Sequence, residues 1–227
     1  MTDTMSKLTA LVPMRHHSQR VPGKNFRPLA GKPLFHHILS NLQAVPDIEE
    51  IIVDTDSPVI KDGLSSLFPS VTIFDRPDHL RGDATSMNEI ISYDMSQRDA
   101  KFFLQTHSTN PFLSAETIKR AIKLFFKEYP AYDSLFSVTR IYTRLWDEDA
   151  QAINHDPSEL IQTQNLPPIY EENSCLYIFT KSGFSKQRHR IGERPLMFEV
   201  DRREAWDIDT ELDFEIVECL MERKRRE

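Results

Sequence analysis

Apolar runs of strand length alternate with amphipathic stretches along the first 140 residues. Leu8-Thr9-Ala10-Leu11-Val12 is apolar enough to be covered on both faces. Leu34, Ile38, Leu39 and Leu42 then recur at helical spacing, which predicts a helix from Pro33 to Leu42 with proline at its start. Ile48 to Val53 reads as a second strand, ending in Asp54-Thr55-Asp56-Ser57, where Ser57 is placed to cap a helix from Pro58 to Leu67. Val71 to Phe74, Lys101 to Gln105 and Ser134 to Thr139 are further strands. Between them stand a helix from about Ser86 to Arg98 and a strongly amphipathic one from Ala115 to Tyr129, with Ile118, Ala121, Ile122 and Phe125 on one face. This alternation predicts an α/β fold, a mostly parallel sheet flanked by helices.

The pattern weakens from about Arg140 to Pro168, where charged and loop-forming residues dominate, and residues 140–170 read as an inserted lobe. Ser174 to Phe179 and Met197 to Val200 restore the strand pattern, and a helix from about Thr210 to Lys224 closes the chain. A length of 227 residues suits a single domain with such a lobe.

The net charge of −7 argues against a nucleic-acid groove binder, so anionic ligands fall to a few local cations. Cys175 and Cys219 are the only cysteines, without zinc spacing. Residues 1–7 are polar and no later run reaches membrane-spanning length, so a cytoplasmic protein is the expectation. The histidines are scattered, apart from the pairs His16-His17 and His36-His37. No Gly-x-Ser-x-Gly elbow or Walker-type Gly-Lys-Ser/Thr run occurs, which removes the commonest hydrolase and P-loop readings.

Candidate chemistry concentrates directly after the first strand. Arg15, Ser18, Arg20, Lys24 and Asn25 stand in a turn at the carboxyl edge of the expected sheet, where open α/β sheets bind phosphate-bearing ligands. The cations suit phosphate oxygens, and Pro22-Gly23 bends the backbone so that amide N–H groups can face inward. Far along the chain, Asp207-Ile208-Asp209 places two carboxylates on the same side of an extended segment. That pair suits Mg²⁺, and it equally suits the acidic start of a helix, together with Glu211 and Asp213.

The run Arg15-His16-His17-Ser18-Gln19-Arg20-Val21-Pro22-Gly23-Lys24-Asn25 resembles the signature of the acylneuraminate cytidylyltransferases, the CMP-sialic acid synthetase family. It departs from that signature at His16-His17, where the family has two glycines, and the paired imidazoles can hydrogen-bond phosphate instead. Arg20 also makes the turn similar to that of the Kdo cytidylyltransferases. Asp207-Ile208-Asp209-Thr210-Glu211-Leu212-Asp213-Phe214 resembles a further hallmark, and the likeness puts Asp207 and Asp209 on its metal-binding positions. Asp75-Arg76-Pro77, Asp83-Ala84-Thr85-Ser86, Gln105 to Phe112 and Asn165 to Phe179 are similar to other family blocks, in the family's order.

The resemblance implies a Rossmann-like nucleotidyltransferase fold whose inserted lobe pairs two subunits into a homodimer. It also implies transfer of CMP from CTP to the anomeric hydroxyl of an acidic 2-keto sugar, with Mg²⁺ and release of pyrophosphate. Arg15, Lys24 and Asp209 would carry catalysis; Arg15, Ser18, Lys24, Asn25, Arg76 and Ser86 would hold nucleotide; Gln105, Arg140 and Tyr177 would hold the sugar. Alone, Arg76 reads as a surface charge and Ser86 as a helix cap. Upstream of Asn165, where family members carry an arginine for the sugar's carboxylate, this chain has Gln162-Thr163-Gln164, leaving Arg140 or Arg144 to replace it. A Kdo-type or other sugar nucleotidyltransferase, and a non-catalytic nucleotide-sugar-binding homologue, are the alternatives.

Overall fold

The computed structural model describes residues 7–226. In chain order the strands are β1 (Leu8–Leu11), β2 (Pro28–Leu29), β3 (Lys32–Pro33), β4 (Ile48–Thr55), β5 (Thr72–Asp75), β6 (Phe102–Thr106), β7 (Ser134–Ile141), β8 (Ile169–Thr180) and β9 (Pro195–Glu199). The helices are α1 (Leu34–Gln43), α2 (Pro58–Leu67), α3 (Met87–Ser96), α4 (Ala115–Glu128), α5 (Lys181–Gln187) and α6 (Glu211–Arg226).

Seven strands form one sheet in the order β5-β4-β1-β6-β8-β7-β9, and β2 and β3 form a small separate hairpin. β1, β4, β5 and β6 pair in parallel, β8 runs antiparallel to both its neighbours, and β9 pairs parallel to β7. Ile51, Ile52 and Val53 are buried in succession because helices cover both faces of β4, the usual condition of a parallel strand. The chain winds from β1 toward β4 and later returns to place β6 on the other side of β1. The carboxyl ends of β1 and β6 therefore flank the crevice where open α/β sheets bind ligands.

The expected fold class stands, and the Ser57 cap holds, its side chain accepting from the Ile60 amide at the start of α2. Three elements differ. β8 starts at Ile169, earlier than the expected Ser174, because it continues as a ribbon with β7 beyond the sheet, Arg140 opposite Tyr170. α5 carries no long apolar stripe and buries only Phe184. The β2–β3 hairpin is two residues per strand, below the length at which alternation can be read. Residues 142–168 leave and rejoin the sheet through β7 and β8. Apart from a bridge between Trp146 and Ala152 and a short 3-10 turn at Thr163–Asn165, they have no regular structure.

Candidate active site

The turn after β1 is fixed by its own residues. Gly23 takes φ of +65°, and a Cβ there would lie 2.9 Å from the Phe26 ring, so both backbone and space call for glycine. Asn25, buried, donates to the Arg15 carbonyl at 2.8 Å and accepts from the Ser108 hydroxyl at 2.7 Å, tying the turn to the loop after β6. The Asp207–Asp209 segment is sewn to the same place. The Ile208 amide donates to the Thr109 carbonyl at 2.9 Å, the Lys24 ammonium donates to the Ile208 carbonyl, and the Ile208 side chain is fully buried with Val21, Leu29, Leu34, Phe214 and Val217.

Residues 184 positions apart thus meet at the mouth of the crevice. Arg20 reaches Asp209 at 2.8 Å, and the Lys24 ammonium lies 3.7 Å from the same carboxylate. Burial lowers the Lys24 pKa, against the attraction of Asp207 and Asp209. Burial likewise raises that of Asp207, opposed by a hydrogen bond from Thr109 and helped by repulsion from Asp209.

The acidic segment divides by role. Asp213 accepts from the Asp209 and Thr210 amides and the Thr210 hydroxyl, so it serves the start of α6, and Glu211 pairs with Arg27. Asp207 and Asp209 are left for cations. The Asp207 Oδ1 is buried with no hydrogen-bond partner among the described residues, so it is open to a cation. Among those residues no three His, Cys, Asp or Glu side chains form a cage. A donor pair of this kind fits Mg²⁺, which takes one or two protein carboxylates and completes its shell with phosphates and water.

Several residues expected to contact nucleotide have partners within the fold. The Arg76 guanidinium is buried against Asp54, bonding both its side chain and its carbonyl. Ser86 forms a capping box with Glu89, its hydroxyl facing that side chain and amide. Asn25 is fully engaged in holding the turn. The His16 ring sits 2.7 Å from the Ser57 hydroxyl and stacks on Phe26, so it joins the turn to α2. Arg15, Arg20 and Lys24 remain as the cations at the mouth, with Ser18 in the same turn. Arg15 pairs with Asp83 at 3.0 Å, and Gln19 donates to the same carboxylate at 2.9 Å.

A second group lies deeper, where β6 meets β8. Gln105 and Tyr177 face each other across the antiparallel pair, and both are fully buried. Between them lies Arg190, which no sequence motif marks. Its guanidinium is 3.7 Å over the Tyr177 ring, with Nη1 donating to Gln105 Oε1 at 2.7 Å and Nη2 to the Tyr177 hydroxyl at 3.1 Å. The Tyr177 hydroxyl also contacts Glu172 and Ser174. His107 adjoins Gln105 at 3.0 Å; burial first, then Arg190 and Lys24, push its pKa down to about 3, so the ring is neutral. Arg140 is not brought here. It projects from the β7–β8 ribbon with its guanidinium 4.8 Å over the Tyr142 ring, and Arg144 bonds the Ile161 carbonyl within residues 142–168.

A family model described as Cytidylyltransferase matches residues 9–224. The CMP-N,N'-diacetyllegionaminic acid synthase of Legionella pneumophila is 29% identical over 95% of this chain and 97% of its own length. The N-acylneuraminate cytidylyltransferase of Escherichia coli O18:K1:H7 is 26% identical over 98% of this chain, which spans only 54% of that longer relative. Among solved structures, a CMP:2-keto-3-deoxy-manno-octonic acid synthetase complexed with CTP superposes with a TM-score of 0.71 at 17% identity, covering 96% of this chain and all of the other.

Proposed function

We propose that this chain, which belongs to the cytidylyltransferase family, transfers CMP from CTP to the anomeric hydroxyl of an acidic 2-keto sugar and releases pyrophosphate. The observation that carries the reading is the convergence of Arg20 and Lys24 on Asp209 beside the unpartnered oxygen of Asp207. The names of the Legionella and E. coli relatives support CTP and an acidic sugar.

Asp207 and Asp209 would hold Mg²⁺, which when bound offsets charge on the triphosphate. Arg15, Arg20 and Lys24 bind phosphate oxygens and stabilise the charge that develops on the leaving pyrophosphate. The Arg15–Asp83 pair is half-exposed and so contributes little, which lets Arg15 exchange that partner for a phosphate. Ser18 supplies a neutral hydrogen bond in the same turn. Gln105 and Tyr177, buried beneath Arg190, back the end of the crevice where the sugar would lie, and positioning of its hydroxyl in line with the α-phosphorus supplies much of the rate. The pair of lobes from two subunits would form a homodimer, supported by the exposed Trp146, Ile153 and Leu160. Among the described residues no helix is long and apolar enough to cross a membrane.

A Kdo-type acceptor is the second reading, favoured by Arg20 in the turn. Pyrophosphate release with CTP, Mg²⁺ and a panel of 2-keto sugar acids of eight and nine carbons tests both. Sustained turnover is expected, and the preferred acid separates the readings. CTP binding without turnover on any acid would leave only a nucleotide-sugar-binding role.

A further inference from the structure

The arginine that family members place upstream of Asn165 is absent here, yet the deeper group carries a cation of its own. Arg190 is held in a fixed plane by three contacts: the Tyr177 ring under it, Gln105 Oε1 and the Tyr177 hydroxyl. The loop that carries it is tied to the start of β7. The Gly192 amide donates to the Ser134 hydroxyl at 2.8 Å, and the Glu193 and Arg194 amides donate to the Asp133 carboxylate at 3.1 and 3.0 Å.

Arg190 is half-buried, and no carboxylate of the described residues lies within 4.0 Å of it. Glu172, the carboxylate that acts on it from a distance, faces the Tyr177 hydroxyl instead. A partly desolvated guanidinium without an ionic partner is unfavourable until an anion completes it, and its planar fork matches a carboxylate with two parallel hydrogen bonds. Two of its five N–H donors are engaged by Gln105 and Tyr177, which leaves donors for that anion.

His107 lies close enough to feel both Lys24 and Arg190. Its uncharged ring, bonded to Gln105, adds no third charge near the two cations.

We infer that Arg190, oriented by Gln105 and Tyr177, binds the carboxylate of the acceptor sugar and sets the preference for acidic over neutral acceptors. The inference rests on the proposed function for the identity of the anion. It takes over the task expected of Arg140.

The test pairs each sugar acid of the panel with its methyl ester, in wild type, Arg190→Gln and Arg190→Lys. Binding is followed by calorimetry, and turnover by pyrophosphate release. Wild type is expected to favour acid over ester, and Arg190→Gln to lose about 10²-fold in kcat/KM on the acid, mostly as KM, with the KM for CTP unchanged. The acid-over-ester preference should collapse in the glutamine variant and partly return in the lysine variant. If the glutamine variant does not fold, a weakened preference in Arg190→Lys carries the same information. Unchanged preference in both variants, or equal use of acid and ester by wild type, overturns the role of Arg190 while leaving the cytidylyltransferase reading intact. Conversely, wild type that binds acids in preference to esters but never releases pyrophosphate keeps Arg190 and removes the reaction.

Discussion

Arg76 and Arg15 each pair with an aspartate, in settings that give the two pairs opposite meanings. Asp54 and Arg76 are 0% and 4% exposed, and a second buried carboxyl, Asp94, lies against them. Arg15 and Asp83 are 45% and 68% exposed. In the first cluster burial, then Asp54 itself, push the Asp94 pKa up to about 9, so Asp94 keeps a proton and the three groups carry about one charge of each sign. Removing one partner there strands a charge away from water, whereas the outer pair is screened and replaceable. Burial thus separates a lock within the fold from a cation that can be handed to a ligand, although both are an arginine and an aspartate.

The contrast can be broken in four places. Arg76→Ala should destabilise the protein by about 3–5 kcal/mol in urea unfolding, because Asp54 is left unpaired. Normal stability combined with loss of CTP binding would return Arg76 to the nucleotide site. Asp209→Asn should lower kcat by roughly 10²–10³ with unaltered unfolding, since it weakens charge stabilisation at the mouth. Full activity in steady-state assays would falsify its role.

Asp94→Asn sharpens the comparison through pH. In the folded protein Asp94 binds a proton that the unfolded chain releases near its ordinary value of 3.8, so stability should fall as pH rises from there toward about 9. The asparagine variant, neutral throughout, should flatten that decline and unfold later than wild type at pH 8; identical pH–stability curves would remove the shared proton. The smallest effect is expected at Asp83. Replacing it by Ala should change stability by less than about 1 kcal/mol, and a larger loss in the same unfolding assay would show the outer pair to be structural.

The sheet and its phosphate side were legible because their signals are local. Ser57 before Pro58, the stripe from Ile118 to Phe125, and Arg15 to Asn25 after an apolar strand each announce themselves within a few residues. The roles of Asp207 and Asp209 rested on resemblance, and the structure separates the pair from Asp213 and Glu211, the acids that serve the helix and Arg27. The buried pairing of Arg76 was not legible, because a sequence does not reveal that Asp54 will be buried beside it. Arg190 had no signal at all. It reaches Gln105 across 85 positions through a loop pinned by Asp133, a relation only the folded chain contains.

The seam at Ile208 has a consequence for how the molecule comes into being. A partly synthesised chain already owns β1, its basic turn and most of the sheet, but the turn lacks both the carbonyl that holds Lys24 and the apolar plug that backs Val21 until residue 208 leaves the ribosome. A nascent fragment ending before that point is a scaffold in which Arg20 and Lys24 have no Asp209 to face.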